Sequence, residues 1–208
     1  MHGKEPLILL VDDDPSVRKG IGRLFTLAGY EVEAFASAES FLDRLPCEEI
    51  ACIVLDVRMP GLDGIALQRE LKRAGCELPI VFLTGHGDIP MGVSAVKHGA
   101  ADFLTKPVDS ADLLRAVATA LAGHRQEQQS REEREAIRQL LATLTPRETD
   151  VFHYLLTGLL NKQIGGELGI AEKTVKIHRA QVMAKLGVHS VAELVHMAHQ
   201  VGIDPPAV

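Results

Sequence analysis

Five polar side chains that could do chemistry stand directly after short apolar runs. Carboxylates follow the runs at residues 7–11 and 50–55, a hydroxyl follows 79–83, and an ammonium group stands just past 102–105. These side chains are Asp12, Asp13, Asp56, Thr84 and Lys106. Three carboxylates close together would raise one another's pKa unless a cation joined them. Hard oxygen ligands that stay partly open to water suit Mg2+.

Such a site could accept a phosphoryl group. With Mg2+ held by Asp13 and Asp56, the remaining oxygen of Asp56 can attack a phosphoryl donor and form an aspartyl phosphate. Mg2+ and Lys106 would neutralise the incoming oxygens, and Thr84 could donate a hydrogen bond to one of them. Gly85, beside Thr84, leaves room for the phosphoryl group to approach. These residues therefore predict a covalent acceptor at Asp56.

Alternating strands and helices must bring these side chains together. Apolar runs bounded by turn signals predict strands, and apolar residues at helical spacing predict the helices between them. The predicted strands cover residues 7–11, 31–35, 50–55, 79–83 and 102–105, and the predicted helices cover 15–28, 38–45, 64–74, 90–98 and 110–121. This alternation predicts an α/β fold with a doubly wound parallel sheet. The carboxyl ends of the strands, where such sheets bind ligands, then meet at one edge.

The net charge of −6 is confined to one part of the 208-residue chain, which is long enough for two domains. Residues 1–122 hold 12 basic and 18 acidic groups, whereas residues 123–143 and 144–208 are balanced. An acidic protein binds nucleic acid only through a local basic surface. Any DNA-binding site must therefore be sought in a basic patch of the remaining residues.

The chain has no apolar stretch of membrane-spanning length, and its first residues lack the pattern of a signal peptide. We therefore expect no membrane association and a cytoplasmic location. Cys47, Cys52 and Cys76 show neither disulfide nor metal-ligand spacing, so we interpret them as reduced thiols that mostly pack.

The motifs around the polar side chains resemble the receiver domain of response regulators. They are Asp12-Asp13, the LDVRMPGLDG segment around Asp56, Thr84-Gly85 and Lys106-Pro107, and the likeness covers residues 6 to about 122. The resemblance implies a flavodoxin-like sheet of order 2-1-3-4-5 and phosphorylation of Asp56 by a sensor histidine kinase. It also implies a cis bond between Lys106 and Pro107.

The same resemblance assigns metal ligands and a switch residue. It implies that Mg2+ is held by Asp13, Asp56 and the backbone carbonyl of Arg58, with Asp12 supporting the metal through water. The aromatic switch position of the family falls on Phe103, three residues before the lysine. Phenylalanine has no hydroxyl, so only packing can favour one of its rotamers.

A polar stretch separates this first domain from the second. Residues 123–135 contain almost no apolar side chain but are rich in the helix formers Glu, Gln and Arg, which predicts an exposed helical linker over 123–143. A coiled-coil dimer is the alternative for this segment, although it contains few heptads.

From residue 144 the pattern changes to short helices without strands. Thr145, Pro146 and Glu148 form a capping box with proline at the first helical position. We predict a second helix capped by Asn161, a third over 172–186, and a fourth from about residue 190 to 201. Two short helices joined by a glycine-containing turn, within a four-helix unit, predict a helix-turn-helix.

The third of these helices carries the basic patch. Val175, Val182, Met183 and Leu186 can face the core, while the outward-facing side chains are Lys173, Thr174, Lys176, Arg179 and Lys185. The helix has a net charge of +3 in a domain with no net charge. A helix-turn-helix presents such a helix to the major groove of DNA.

Residues 144–197 resemble the LuxR-type DNA-binding domain, through the motifs LTPRETDV, NKQIGGELGI and EKTVKIHRAQVMAKLGV. With the receiver, the chain is similar to response regulators of the NarL/FixJ subfamily. The likeness implies that Lys176 and Ile177 address base edges, and that phosphates or nearby bases are contacted by Lys173, Thr174, Arg179 and Lys185. The chain departs from the family pattern at two places. Gly165-Gly166 lies inside a helix and destabilises it by about 1 kcal/mol per glycine. Ala180 stands where a relative can carry a basic residue that reads a base. Ala180 could contact a thymine methyl instead.

The leading hypothesis is a transcription factor controlled by phosphorylation. A phosphoryl group on Asp56 would draw Thr84 inward, let Phe103 follow, and reshape the surface of residues 95–121 into a homodimer interface. The partners are then a sensor histidine kinase, double-stranded promoter DNA, a second copy of the chain and, as a further candidate, RNA polymerase.

Two hypotheses from other classes stay open. Haloacid-dehalogenase-type phosphatases also use an aspartyl nucleophile with Mg2+, but they need an aspartate two residues later, where this chain has Arg58. The expected chemistry therefore ends at phosphoryl acceptance and slow self-dephosphorylation, without enzyme turnover. The other alternative is a signalling adaptor whose helical domain binds protein or RNA.

Overall fold

The computed structural model describes residues 6–45, 51–85 and 99–205. The chain divides into two compact units, Met1–Glu127 and Gln128–Val208. The helix predicted at 90–98 lies outside the described residues, as do Cys47 and the first four residues of the predicted homodimer surface.

A five-stranded parallel sheet forms the centre of the first unit. Its strands are β1 (Leu7–Val11), β2 (Glu31–Phe35), β3 (Ala51–Asp56), β4 (Ile80–Thr84) and β5 (Asp102–Thr105). Their order across the sheet is β2-β1-β3-β4-β5, and every neighbouring pair is parallel. The residues of β1, β3 and β4 are all buried, because these central strands are covered on both faces. The predicted doubly wound fold and its strand order are confirmed.

Helices α1 (Pro15–Leu27), α2 (Ala38–Leu42) and α3 (Gly64–Arg73) connect the strands within the described residues. Asp14 and Asp63 cap α1 and α3 by accepting hydrogen bonds from the backbone N–H groups of Ser16 and Ala66. Helix α2 is three residues shorter than predicted, since the chain after Leu42 continues in a turn with bonds three residues apart.

Two apolar cores lie on the two faces of the sheet. Phe41 and Leu67 belong to one core, and Phe25 and Leu113 to the other. Cys52 is fully buried in β3 and is a free thiol, as expected for a packing residue. Burial raises the pKa of its thiol to about 12.

A single helix, α4 (Ser110–Ala142), is 33 residues long. It joins the last helix predicted for the receiver to the predicted helical linker. Its middle is rich in Glu, Gln and Arg, which favour helix, and Gly123 does not interrupt it. None of the described helices is both long enough and apolar enough to span a membrane.

The second unit contains α5 (Pro146–Leu156), α6 (Asn161–Leu168), α7 (Glu172–Leu186) and α8 (Val191–Gln200). Their shared core includes Phe152, Ile164, Val175, Val182 and Leu194. The predicted capping box at the start of α5 is present, with Thr145 and Glu148 bonded reciprocally.

The prediction that Asn161 caps α6 is wrong. The cap is Leu160, whose backbone N–H donates to Gln163 Oε1 at 2.9 Å, and Asn161 is the first helical residue. The side-chain oxygen of Asn161 instead accepts a hydrogen bond from Arg179 Nη1 at 3.3 Å. This contact with α7 takes the acceptor that a cap would need.

Candidate functional site

The carboxyl edge of the sheet brings the predicted polar side chains of the first unit together. Asp12 follows β1, Asp56 ends β3, Thr84 ends β4 and Lys106 follows β5. Carboxylate oxygens of Asp12, Asp13 and Asp56 lie within 4.8 Å of one another. Lys106 Nζ lies 2.7 Å from Asp12 Oδ2 and 2.6 Å from Asp56 Oδ2. One ammonium group therefore links two carboxylates from different strands.

Burial differs among the charged groups at this edge. Asp12 is fully buried, Asp56 is 7% exposed, and Asp13 is exposed. Burial raises the pKa of the Asp12 carboxyl, although its hydrogen bond to Lys106 acts in the opposite direction. Burial also lowers the pKa of Lys106, but the bonds to Asp12 and Asp56 outweigh this and raise it overall. Lys106 therefore remains a cation over the physiological pH range.

Backbone groups fix the orientation of the two buried carboxylates. Asp56 Oδ1 accepts a hydrogen bond from the backbone N–H of Arg58 at 3.2 Å. Asp12 Oδ1 accepts from the N–H of Asp14 at 2.9 Å, and the Asp12 carbonyl accepts from Arg18 Nη1. Each carboxylate thus holds one oxygen on the backbone and the other on Lys106.

Gly64 is a residue of this site that the sequence reasoning missed. A Cβ at Gly64 would lie 2.2 Å from the carbonyl oxygen of Asp56, far inside van der Waals contact. The N–H of Gly64 donates to the carbonyl of Val57 at 3.0 Å, which fastens the start of α3 to the end of β3. The only signal in the sequence is a glycine at a helix start shortly after Asp56.

The residues on the other side of Asp56 also lie where the sequence places them. Thr84 is buried and its hydroxyl contacts the carbonyl of Gly85 at 3.3 Å. Among the described residues, a Cβ at Gly85 would meet no atom within 4 Å, so space beside Thr84 is open. Phe103 is half-buried, with its ring centroid 6.3 Å from that of Phe82. The Lys106-Pro107 bond is cis, as the resemblance implied.

The donor set suits Mg2+. The site offers three carboxylates, which are hard oxygen ligands, and the exposed Asp13 leaves one side open to water. The two buried carboxylates already have a cationic partner in Lys106, which shows that this edge is built to hold positive charge against them.

In the second unit, α7 presents most of the predicted DNA-contacting side chains to solvent. Lys173, Lys176 and Ala180 are exposed, and Ile177 is an unusually exposed apolar residue at 51%. Thr174 and Arg179 are partly buried. Lys176 forms an ion pair with Glu172 at 3.3 Å in which both side chains are solvated.

Lys185 differs from the other basic residues of α7. Its Nζ lies 2.6 Å from Glu148 Oε2 and 3.0 Å from the carbonyl oxygen of Thr143. The side chain of Glu148 is only 5% exposed. Lys185 therefore bonds to two acceptors of the second unit, although its own side chain is 36% exposed.

Two family models match the chain. Residues 8–118 match the response regulator receiver domain, and residues 142–198 match the bacterial regulatory proteins of the luxR family. Together with the sheet order and the acidic edge, these matches define a response regulator with a DNA-binding output domain.

Individual relatives agree along almost the whole chain. Nodulation protein W of Bradyrhizobium diazoefficiens is 45% identical over 95% of this chain and 87% of that protein. The structure of the response regulator StyR has a TM-score of 0.84 at 48% identity, covering 95% of this chain and 100% of that one. Full-length FixJ from B. japonicum has a TM-score of 0.61 at 40% identity, covering 94% and 97%. The chain belongs to the NarL/FixJ subfamily of response regulators, which take their signal from a histidine kinase and bind DNA.

Proposed function

We propose that Asp56 is the phosphoryl acceptor and that its phosphorylation controls transcription through the second unit. The observation that carries this proposal is the pair of contacts from Lys106 Nζ to Asp12 and Asp56 at 2.7 and 2.6 Å. A nearly buried carboxylate beside a lysine cation, at the ligand-binding edge of the sheet, has the surroundings of an activated nucleophile.

In the proposed reaction, a carboxylate oxygen of Asp56 attacks the phosphorus of a phosphohistidine on the kinase, and the imidazole leaves. Lys106 balances the negative charge of the transferred oxygens, while the Thr84 hydroxyl donates a hydrogen bond to one of them. Gly85 leaves the space in which the phosphoryl group approaches. The N–H of Arg58 keeps Asp56 oriented throughout.

The proposed metal ligands are Asp13, Asp56 and the backbone carbonyl of Arg58, with Asp12 acting through water. Mg2+, when bound, supplies positive charge that neutralises the phosphoryl oxygens. Asp12 also holds Lys106 in place through its second oxygen.

The proposed output is a change in packing that leads to a homodimer. Thr84 moves toward the phosphoryl group, and Phe103, which lacks a hydroxyl, follows by packing alone. The dimer surface covers residues 95–121, of which 95–98 lie outside the described residues. A dimer brings two recognition helices to paired half-sites on DNA.

In the proposed DNA complex, Lys176 and Ile177 address base edges. Phosphates or nearby bases are contacted by Lys173, Thr174 and Arg179. The sequence groups Lys185 with them, although its ammonium group forms an ion pair with Glu148. RNA polymerase is a further proposed partner. We propose a cytoplasmic location, since bacterial promoter DNA lies there.

The proposed domain boundaries are those expected from the sequence. Residues 1–122 act as the receiver, 123–143 as the helical linker, and 144–208 as the DNA-binding domain. The helix α4 continues from the end of the proposed receiver through the linker without a break, which supports the proposal that the linker is helical.

The decisive experiment compares Asp56→Asn with Asp63→Asn, the same chemical change seven residues away at the cap of α3. Acetyl phosphate serves as the phosphodonor in the presence of Mg2+, and phosphate-affinity electrophoresis measures phosphorylation. DNA binding is measured with a duplex selected from a random pool. We expect Asp63→Asn to behave as the wild type. Asp56→Asn should accept no phosphoryl group, and its affinity for DNA should be the same with and without acetyl phosphate. A phosphorylated Asp56→Asn protein, or an unchanged DNA response, would contradict the proposal.

Enzyme turnover is not part of the proposal. Arg58, exposed and two residues after Asp56, stands where the phosphatase mechanism needs an aspartate. The phosphoryl group is then lost only by slow self-dephosphorylation. Release of many equivalents of phosphate from a simple ester would instead show an enzyme.

A further inference from the structure

Lys185 was grouped with the DNA-contacting residues because it is a basic side chain on the recognition helix. Its surroundings point elsewhere. Two of the three donors of its ammonium group can be used by Glu148 Oε2 and the Thr143 carbonyl. Lys176 offers a comparison within the same helix, because its ion pair with Glu172 is solvated on both sides and is worth little.

The Glu148 carboxylate is the reason why Lys185 is held. Glu148 Oε2 also accepts a hydrogen bond from the backbone N–H of Thr145 at 2.7 Å, as part of the capping box of α5. The carboxylate is almost inaccessible to water, so removal of Lys185 would leave its charge without a cationic partner.

The Thr143 carbonyl adds a third element to this contact. It lies one residue past the end of α4, where backbone carbonyls lack partners within the helix. A lysine at the end of a helix interacts favourably with such carbonyls. A single side chain in the last turn of α7 therefore joins the end of α4 to the first turn of α5.

Resting on the proposed DNA-binding function, we infer that Lys185 is a positioning residue, which fixes the recognition helix against the end of α4 and the cap of α5 and neutralises no DNA phosphate. The basic side chains of α7 that contact DNA are then those of its N-terminal half, Lys173, Lys176 and Arg179.

The salt dependence of DNA binding separates the two roles. A lysine that neutralises one phosphate contributes about 0.9 to the slope of log affinity against log salt concentration. The full-length chain is compared with Lys173→Met, Lys185→Met, Lys185→Arg and Glu148→Gln, on a duplex selected from a random pool by the wild type. Thermal melting of each protein without DNA is recorded in parallel.

We expect Lys173→Met to reduce the slope by about 0.9 with an unchanged Tm. Lys185→Met should keep the wild-type slope, lose affinity by the same factor at every salt concentration, and melt at a lower temperature. Lys185→Arg, which can still reach both acceptors, should restore the Tm and the affinity. Glu148→Gln should lower the Tm although it removes no positive charge.

A slope that falls in Lys185→Met as it does in Lys173→Met would overturn the inference, and so would an unchanged Tm in Lys185→Met and Glu148→Gln. If the wild type selects no duplex at all, the proposed DNA-binding function fails. The Tm values of the same variants still decide in that case whether Lys185 holds the second unit together.

Discussion

At the scale of single residues, the proposed acceptor site depends on backbone contacts as much as on charged side chains. Lys106 and the N–H of Arg58 each take one oxygen of Asp56, which leaves the carboxylate with one orientation. The carbonyl of Asp56 is constrained as well, because Gly64 packs against it with no room for a side chain. The acceptor is therefore held on both its side chain and its main chain.

Gly64→Ala tests this constraint. The added methyl would overlap the Asp56 carbonyl, so the end of β3 must shift, and such overpacking costs about 1–3 kcal/mol of the free energy of unfolding. We also expect slower phosphorylation of Asp56 by acetyl phosphate. Urea denaturation and the phosphorylation rate are measured beside Gly20→Ala, where a Cβ in α1 would meet nothing within 4 Å.

Gly20→Ala should keep the wild-type phosphorylation rate and gain stability, since alanine favours a helix interior. A Gly64→Ala protein as stable and as fast as Gly20→Ala would show that the Asp56 carbonyl is not confined by this glycine.

The charged residues of the site could be predicted from the sequence, whereas Gly64 could not. Asp12, Asp56 and Lys106 follow apolar runs, and the rules of parallel sheets bring the ends of those runs to one edge. The distance between Gly64 and a carbonyl eight residues earlier depends on how α3 returns against β3. A glycine at the helix start is the only local signal, and by itself it does not predict how closely the two backbones approach.

At the scale of secondary-structure elements, the second unit is stabilised by an ionic contact on its first helix. The hydrogen bond from Lys185, together with the bond from the Thr145 N–H, lowers the pKa of Glu148 to about 2. Since this carboxylate titrates near 4.5 in an unfolded chain, its contribution to stability is complete above that pH. The contribution is lost as the pH falls from about 4.5 toward 2.

Calorimetry between about pH 6 and pH 2.5 should show this loss of stability. It should occur between the pKa of Glu148 in the unfolded chain and its lower pKa in the folded protein. Other carboxylates also titrate there, so the informative quantity is the difference in Tm between the wild type and Glu148→Gln. We expect the difference to be largest at about pH 6 and to shrink on acidification. A difference that stays constant over the whole range would contradict the role of the ionised carboxylate.

The two glycines of α6 are not equivalent, although the sequence suggested the same cost for each. A Cβ at Gly165 would lie 2.7 Å from the carbonyl oxygen of Ile170, in the turn before α7, whereas a Cβ at Gly166 would meet nothing within 4 Å. Gly165 therefore permits a close approach of helix and turn, and Gly166 only weakens the helix.

Gly166→Ala should raise the free energy of unfolding by about 0.5–1 kcal/mol, because alanine favours the helix and the site is open. Gly165→Ala gains the same helix propensity but must displace the Ile170 carbonyl, so its net effect should be smaller or destabilising. Thermal melts of the two full-length variants provide the comparison. Equal stabilisation by both substitutions would show that the turn yields without cost.

Element boundaries could be predicted where caps are local. Thr145 and Glu148 correctly predict the start of α5. Asn161 predicts a cap for α6 that Leu160 provides instead, and Arg179 of the following helix bonds to the asparagine oxygen. The composition of the linker predicted helix, and its continuity with the preceding helix follows from the absence of a strong breaker between residues 110 and 142.

At the scale of the whole molecule, α4 provides a covalent path for the proposed signal from Asp56 to the second unit. The helix is unbroken from Ser110 to Ala142 and contains no proline. A continuous hydrogen-bonded helix transmits rotation and translation better than a coil, since its residues cannot reorient independently.

Glu132→Pro should uncouple the two functions of the chain. Proline removes a backbone donor and costs about 3 kcal/mol in a helix interior, which interrupts α4 in its exposed middle. We expect normal phosphorylation of Asp56 but a reduced effect of phosphorylation on DNA affinity, measured by fluorescence anisotropy. Glu132→Ala, which removes the same carboxylate and keeps the helix, should respond as the wild type. An intact response in Glu132→Pro would show that α4 need not be continuous.

The thiol of Cys52, which is buried in β3, is protected from reaction with oxidants and alkylating agents. Cys52 lies four residues before Asp56, and with a pKa of about 12 it contains almost no thiolate at neutral pH. Oxidants and alkylating agents react with thiolates, so they find almost no reactive form of Cys52. The thiol in the strand that ends at the proposed acceptor is therefore unreactive, and of the two cysteines in the described residues, the half-buried Cys76 is the one that a thiol-reactive label would reach.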